Sequence, residues 1–106
     1  MYYILVDKKA VLVDDLDTWS KWVGENDRQV ARTTIDDVYI STVFLGICSS
    51  YGTGTIAYPS VFETMIFGGE FDEETKKAHT WKGAVHMHKC LCELVKYCKG
   101  WKRPYL

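Results

Sequence analysis

The chain has 106 residues, of which 47% are hydrophobic and 25% are charged, and its net charge is −1. This composition excludes a disordered or low-complexity protein and predicts a single globular domain over residues 1–106. Near-neutral charge also excludes the basic field that attracts nucleic acid non-specifically, so we expect no direct nucleic-acid binding.

The sequence predicts neither export nor membrane insertion. No run approaches the roughly 20 apolar residues of a membrane span, and the first residues, "MYYILVDKKA", lack the basic start and long apolar stretch of a signal peptide. We therefore expect a cytoplasmic protein. Its four cysteines should stay reduced there.

The first half of the chain predicts three strands and a helix, followed by a central strand. Tyr2–Val6 and Ala10–Val13 are short apolar runs around "DKK" and predict a hairpin. "DDLDTWSKWVGEN" has helical spacing behind an Asp cap, and Gln29 to Ile35 is the third strand. "VYISTVFLGIC" is apolar on both faces, which predicts a strand in the middle of a sheet.

The second half predicts one more strand and a long helix. "SVFETMIFGG" is the strand, and "FDEETKKAH" reads as a charged connection. Thr80 is placed to cap a helix from Trp81 to about Lys99. The predicted fold is α+β: an antiparallel sheet of about five strands, in the order β-β-α-β-β-β-α, with two helices packed mainly on one face.

The stretch "HMHKCLC", residues 86–92, places two histidines and two cysteines at alternate positions. Alternation gathers four side chains only in a strand, whereas a helix leaves two pairs on different faces, His86 with Cys90 and His88 with Cys92. Zinc takes four protein ligands in structural sites or three plus water in catalytic sites, so neither pair is sufficient alone. We predict no metal site and no other cofactor.

His88 falls on the predicted buried stripe of the helix and must find a hydrogen-bond partner there. Glu63 has the same problem, because it shares a strand face with Val61, Met65 and Phe67. We hypothesise that Glu63 and His88 face each other or share a polar cavity. Such a pair is either a structural bridge or part of a ligand pocket with a perturbed pKa. The predicted stripe comprises Trp81, Ala84, Val85, His88, Leu91, Cys92, Val95 and Cys98.

Aromatic residues make up 14% of the chain, more than a core of this size hides easily. Tyr51 and Tyr58 flank the glycine-containing segment "GTG" and are candidates for stacking on a base. With Arg28 and Arg32 on a phosphate, they would suit a nucleotide-like ligand. No nucleophile elbow or phosphate-binding loop accompanies them, so we rank binding above catalysis and predict no catalytic residue.

Four segments together, "DRQVARTTIDD", "ISTVFLGI", "FETMIFGG" and "HTWKGAVHMH", resemble a family of small hypothetical proteins encoded in bacteriophage genomes. The resemblance begins near Trp19 and covers most of the chain after it. The family's helix carries a histidine seven residues after the tryptophan, which falls on His88 here. Thr42 and Trp81 lie in these motifs and complete the predicted ligand-binding set. The acid and histidine that often follow "STVFLG" are replaced by Cys48 and Ser49.

This resemblance implies a small non-enzymatic counter-defence protein acting in the host cytoplasm. We expect it to be a sponge that sequesters a nucleotide-derived immune signal. The alternatives are an inhibitor that docks on a host defence protein, such as an anti-CRISPR protein, and a small hydrolase. A homo-oligomer, most simply a dimer, is expected because a small aromatic-rich domain has apolar surface to bury against a copy of itself.

Overall fold

The computed structural model describes residues 1–48 and 59–98. The chain opens with a hairpin of two antiparallel strands, β1 (Tyr2–Val6) and β2 (Lys9–Val13). Its two-residue turn places both Asp7 and Lys8 at positive φ, 51° and 66°. Positive φ at both central residues is the type I′ geometry that matches the twist of a hairpin, and the usual residues there are Asn and Gly.

Helix α1 (Leu16–Glu25) follows the hairpin and packs on it. Asp15 caps the helix, since its carboxylate accepts hydrogen bonds from the backbone N–H groups of Asp17 and Thr18. The predicted Asp cap is therefore confirmed. Most of the contacts of α1 are with β1 and β2, and its Trp22 ring also meets the Phe44 ring edge-on at 5.6 Å.

Four strands form the large sheet. They are β3 (Gln29–Ile35), β4 (Val38–Phe44), β5 (Phe62–Phe67) and β6 (Thr75–Ala78), in the spatial order β3-β4-β5-β6, with every neighbouring pair antiparallel. The predicted central position of "VYISTVF" is confirmed, because β4 lies between β3 and β5. The segment predicted as a charged connection contains β6, an edge strand.

Helix α2 (Trp81–Tyr97) covers one face of this sheet and contacts all four strands. Thr80 caps it by accepting a hydrogen bond from the N–H of Gly83, as predicted. Of the predicted stripe, Val85 is wrong, since it is 45% exposed. The buried members of the stripe are Ala84, His88, Leu91 and Val95.

Two apolar clusters fill the space between α2 and the sheet. One is centred on Phe44 and Phe62, whose rings lie 5.2 Å apart, and the other on Ile40 and Ile66. These residues occupy alternate positions of β4 and β5 and so point to the same face. A polar layer separates the clusters, and it holds the buried histidine.

The hairpin is tied to the sheet at Gly46. The backbone N–H of Tyr3 donates to the Gly46 carbonyl at 2.7 Å, and the Tyr3 ring enters the Phe44 cluster. Gly46 has φ +73°, and a Cβ there would lie 2.8 Å from both Trp19 Nε1 and the Tyr3 carbonyl oxygen. The packing of hairpin, α1 and sheet therefore needs glycine at this position.

The predicted α+β class, with antiparallel strands and two helices, is confirmed. Within the described residues the arrangement differs in one respect, since six strands form two sheets in place of one. Helix α2 covers the larger sheet, and α1 reaches the same face at Phe44 through Trp22. Neither helix in the described ranges has the length and apolar character needed to cross a bilayer.

Candidate functional site

His88 is held at both ring nitrogens by threonine side chains. Its Nδ1 lies 2.7 Å from Thr42 Oγ1, and its Nε2 lies 2.9 Å from Thr33 Oγ1. Thr42 Oγ1 is in turn hydrogen-bonded to Thr64 Oγ1. Thr42 and Thr64 are directly opposite each other on β4 and β5 and are fully buried, so the network runs across the sheet under α2.

This network is self-contained in its hydrogen bonding. A neutral imidazole has one donor and one acceptor nitrogen, and each hydroxyl can do either, so all four side chains can be satisfied together. Burial lowers the pKa of His88 below its usual 6.5, which keeps the ring neutral at neutral pH. With 7% of its surface exposed, His88 is a structural element of the core and is closed to a ligand.

The hypothesis that Glu63 faces His88 is wrong. Glu63 alternates on β5 with Phe62 and Thr64, which point to α2, so its side chain leaves the sheet on the opposite face. There it lies directly across from Lys77 of β6 in the strand register. Glu63 is only partly buried on that face, so its carboxylate needs no partner in the core.

The other predicted ligand residues are scattered. Arg32 is exposed on β3 between inward-facing neighbours, and Arg28 is half-buried before that strand, where its carbonyl accepts from the N–H of Phe44. Neither arginine lines a cavity described below. Tyr51 and Tyr58 lie outside the described residues. Among the six members of the predicted set that the structure describes, only Thr42 and His88 are in contact with each other.

Trp81 lines a basic cavity between the hairpin and the start of α2. This cavity has a volume of about 280 Å³, with lining residues Lys8, Lys9, Ala10, Pro59, His79, Thr80 and Trp81. Two lysines and the N-terminal end of a 17-residue helix contribute positive charge, and the helix's first turn carries no acidic residue to offset it. An aromatic ring beside positive charge is the combination that binds phosphate-bearing aromatic ligands.

The Lys8 ammonium group and the Trp81 ring are close together in this cavity. The Lys8 Nζ lies 5.3 Å from the centre of the Trp81 ring, within cation–π distance. Phe62 meets the same indole edge-on at 6.2 Å and fixes its plane. A non-glycine residue at φ 66° costs about 1–2 kcal/mol, and the type I′ turn of the hairpin imposes this cost on Lys8.

A second cavity, of about 370 Å³, lies at the other end of α2. It forms where the β3–β4 turn meets the β5–β6 connection: a Cβ on Gly68 would lie 2.9 Å from the Asp37 carbonyl oxygen. Its floor is apolar and its rim is acidic, so it is unsuited to a phosphate. The lining residues are Ile35, Asp36, Asp37, Val38, Gly68, Gly69, Glu70, Phe71 and Val95.

Sequence reasoning missed Lys8, Lys9 and His79, because their proximity depends on how the hairpin docks against α2. One signal was available: "DKK" is an unusual choice for a tight turn. Comparison with known proteins adds nothing to this assignment, since no protein-family model, curated protein or solved structure matches the chain.

Proposed function

We propose that the protein binds and sequesters a nucleotide-derived, phosphate-bearing small molecule in the basic cavity at the start of α2. The proposal rests on one observation: Lys8, Lys9 and Trp81 line the same cavity. The lysine ammonium groups and the helix start receive the phosphate. The indole of Trp81 receives the base.

The contact between Lys8 and Trp81 prepares the site for such a ligand. In the free protein the Lys8 ammonium lies over the ring, where a base would stack. The Lys8 side chain has a flexible stem of four methylene groups. Its ammonium group can therefore move to an incoming phosphate and expose the face of the Trp81 ring. One ligand therefore engages both groups, and neither a free base nor inorganic phosphate can replace it.

The volume of the cavity favours a ligand with one nucleotide in the site. Small-molecule pockets usually measure about 300–1,000 Å³, and this one is about 280 Å³. A single base and phosphate suit that space. A cyclic dinucleotide or an ADP-ribose derivative would insert one nucleotide and leave the rest outside.

The biological role follows from the resemblance to small phage proteins and is part of the same proposal. A phage protein that holds a nucleotide-derived immune signal in the host cytoplasm lowers its free concentration without converting it. The protein acts stoichiometrically, so its effect depends on its own concentration relative to the signal and on the dissociation constant.

The test is a binding and release experiment. The full chain is incubated with cyclic dinucleotides, ADP-ribose derivatives and mononucleotides, separated from free ligand, and heat-denatured. The proposal predicts that one of these classes is retained with quenching of tryptophan fluorescence and is released chemically intact. Release of a cleaved product would instead indicate a hydrolase. Failure to retain any of the three classes would refute sequestration.

The acid-rimmed cavity favours a second candidate function, an inhibitor that docks on a defence protein. Its apolar floor contains Ile35, Phe71 and Val95, and Asp37 and Glu70 line it as well. This chemistry suits the stem and charge of a lysine or arginine side chain from another protein. Asp37→Asn with Glu70→Gln should weaken capture of such a partner and leave nucleotide binding unchanged, which separates the two functions.

A further inference from the structure

One exposed pair on α2 has no part in the core or in either cavity. His86 and Cys90 are separated by one helical turn and are both exposed, and Cys90 Sγ lies 3.5 Å from His86 Nε2. The buried stripe of the helix faces the sheet, so this pair faces solvent. A thiol and an imidazole are the ligands preferred by zinc and other soft divalent ions.

The separation of the two atoms matches a tetrahedral metal site. Zinc binds sulfur at about 2.3 Å and nitrogen at about 2.0 Å, and at the tetrahedral angle these bonds hold the two ligand atoms about 3.5 Å apart. The observed Sγ to Nε2 distance is 3.5 Å. The two side chains can therefore chelate an ion between them with little change of conformation.

We propose that His86 and Cys90 bind a zinc-class divalent ion together with the same pair from a second copy of the chain. A structural zinc site needs four ligands, and this pair supplies two. Within residues 1–48 and 59–98, no three His, Cys, Asp or Glu side chains form a potential metal group. Two copies related by a two-fold axis complete a Cys₂His₂ set, which is a common structural zinc site.

The position of the pair supports an antiparallel arrangement of the two α2 helices. His86 and Cys90 lie near the middle of Trp81–Tyr97. A two-fold axis between the two copies of this pair therefore makes the two α2 helices overlap along most of their length. The same axis brings Glu93 of one copy next to Lys82 of the other. Tyr97, which is 73% exposed and seven residues after Cys90, adds apolar surface on the same side of the helix.

Metal should be required for this pairing. The solvent-facing side of α2 carries Lys82, Lys89 and Lys96 against a single acidic residue, Glu93. Two such faces repel each other when the site is empty. Binding converts the two Cys90 thiols to thiolates and releases two protons per ion, so the affinity falls as the pH is lowered.

The experiment is a titration of the full chain with Co²⁺, without oxygen and with a phosphine reductant. Cobalt replaces zinc in tetrahedral sites and reports thiolate ligation by its visible absorption. We expect the absorption to saturate at one ion per two chains and the sedimentation coefficient to change from monomer to dimer at the same point. Zn²⁺ should remove the absorption and keep the dimer.

Matched variants identify the ligands. His86→Ala and Cys90→Ser are at exposed positions and should keep the far-UV circular dichroism and melting temperature, but abolish the absorption and the dimer. Cys92→Ala, which removes a partly buried cysteine two residues away, should keep both. Absorption that survives in Cys90→Ser, saturation at one ion per chain without dimerisation, or no tetrahedral absorption in the wild-type chain would overturn the proposal.

Discussion

Replacing Thr42 with valine tests the assignment of the buried histidine network as structural. Valine has nearly the same shape but lacks the hydroxyl that joins His88 Nδ1 to Thr64 Oγ1. His88 Nδ1 and Thr64 Oγ1 then lie buried without the Thr42 hydroxyl as a hydrogen-bond partner. Each such group costs about 1–3 kcal/mol, partly offset by the added methyl, so we expect a loss of about 2–4 kcal/mol. With an m-value near 1–1.5 kcal/mol/M, the urea midpoint falls by about 1.3–4 M.

A double-mutant cycle with Thr64→Val sharpens the measurement. In the wild-type protein, Thr64→Val removes one hydrogen bond. In the Thr42→Val variant, the same substitution removes a hydroxyl that has already lost its hydrogen-bond partner. The second substitution should therefore be less destabilising in the Thr42→Val background than in wild type. Urea unfolding followed by tryptophan fluorescence gives all four free energies. Additive losses, or a Thr42→Val loss under about 0.5 kcal/mol, would refute a network coupled through Thr42.

Three further predictions concern the same elements. Burial holds the folded-state pKa of His88 below 6.5, so the stability that the neutral ring contributes is complete above pH 6.5 and is lost as the pH falls toward the lower pKa. His88→Gln should therefore flatten the pH dependence of the unfolding free energy in that window. An unchanged slope in the variant would contradict this prediction. Gly46→Ala should cost about 2–4 kcal/mol by calorimetry, from left-handed backbone and overpacking, and a loss under about 1 kcal/mol would contradict the tight junction. Lys8→Gly should be about 1 kcal/mol more stable than Lys8→Ala in urea unfolding, because glycine adopts the left-handed backbone without steric strain. Both variants should lose the same amount of ligand affinity. Equal stabilities would argue against strain at Lys8.

Local sequence patterns predicted most of the elements. The 3.6-residue period of α2 predicts that His88 lies on the buried side of the helix. An Asp cap for α1 and the Thr80 cap for α2 are also predictable, because capping depends on residues within one turn. The strand β6 was missed, since "TKKA" has no apolar alternation. Edge strands commonly carry lysine, which blocks further pairing and removes the pattern that reveals a strand.

The partners of His88 could not be predicted, because they depend on strand register. Thr33, Thr42 and Thr64 each occupy an inward position on a different strand, but only the alignment of β3, β4 and β5 brings them to one place. The apolar neighbours of Glu63 in the sequence predict a carboxylate facing the core, but the structure puts it on the other face of the sheet. The basic cavity depends on a still longer-range contact, between a turn at residues 7–8 and a helix that begins at residue 81.

The central claim is that Lys8, Lys9 and Trp81 form a site for a phosphate-bearing nucleotide ligand. It is tested most directly by calorimetric titration of the retained ligand into Lys8→Ala/Lys9→Ala and into a control, Lys76→Ala/Lys77→Ala. The control removes the same charge from exposed positions on β6. We predict that the first variant binds at least about tenfold more weakly, since each charge-assisted hydrogen bond contributes about 1.5–3 kcal/mol, while the control binds as wild type. Equal affinities for the two variants would contradict the account.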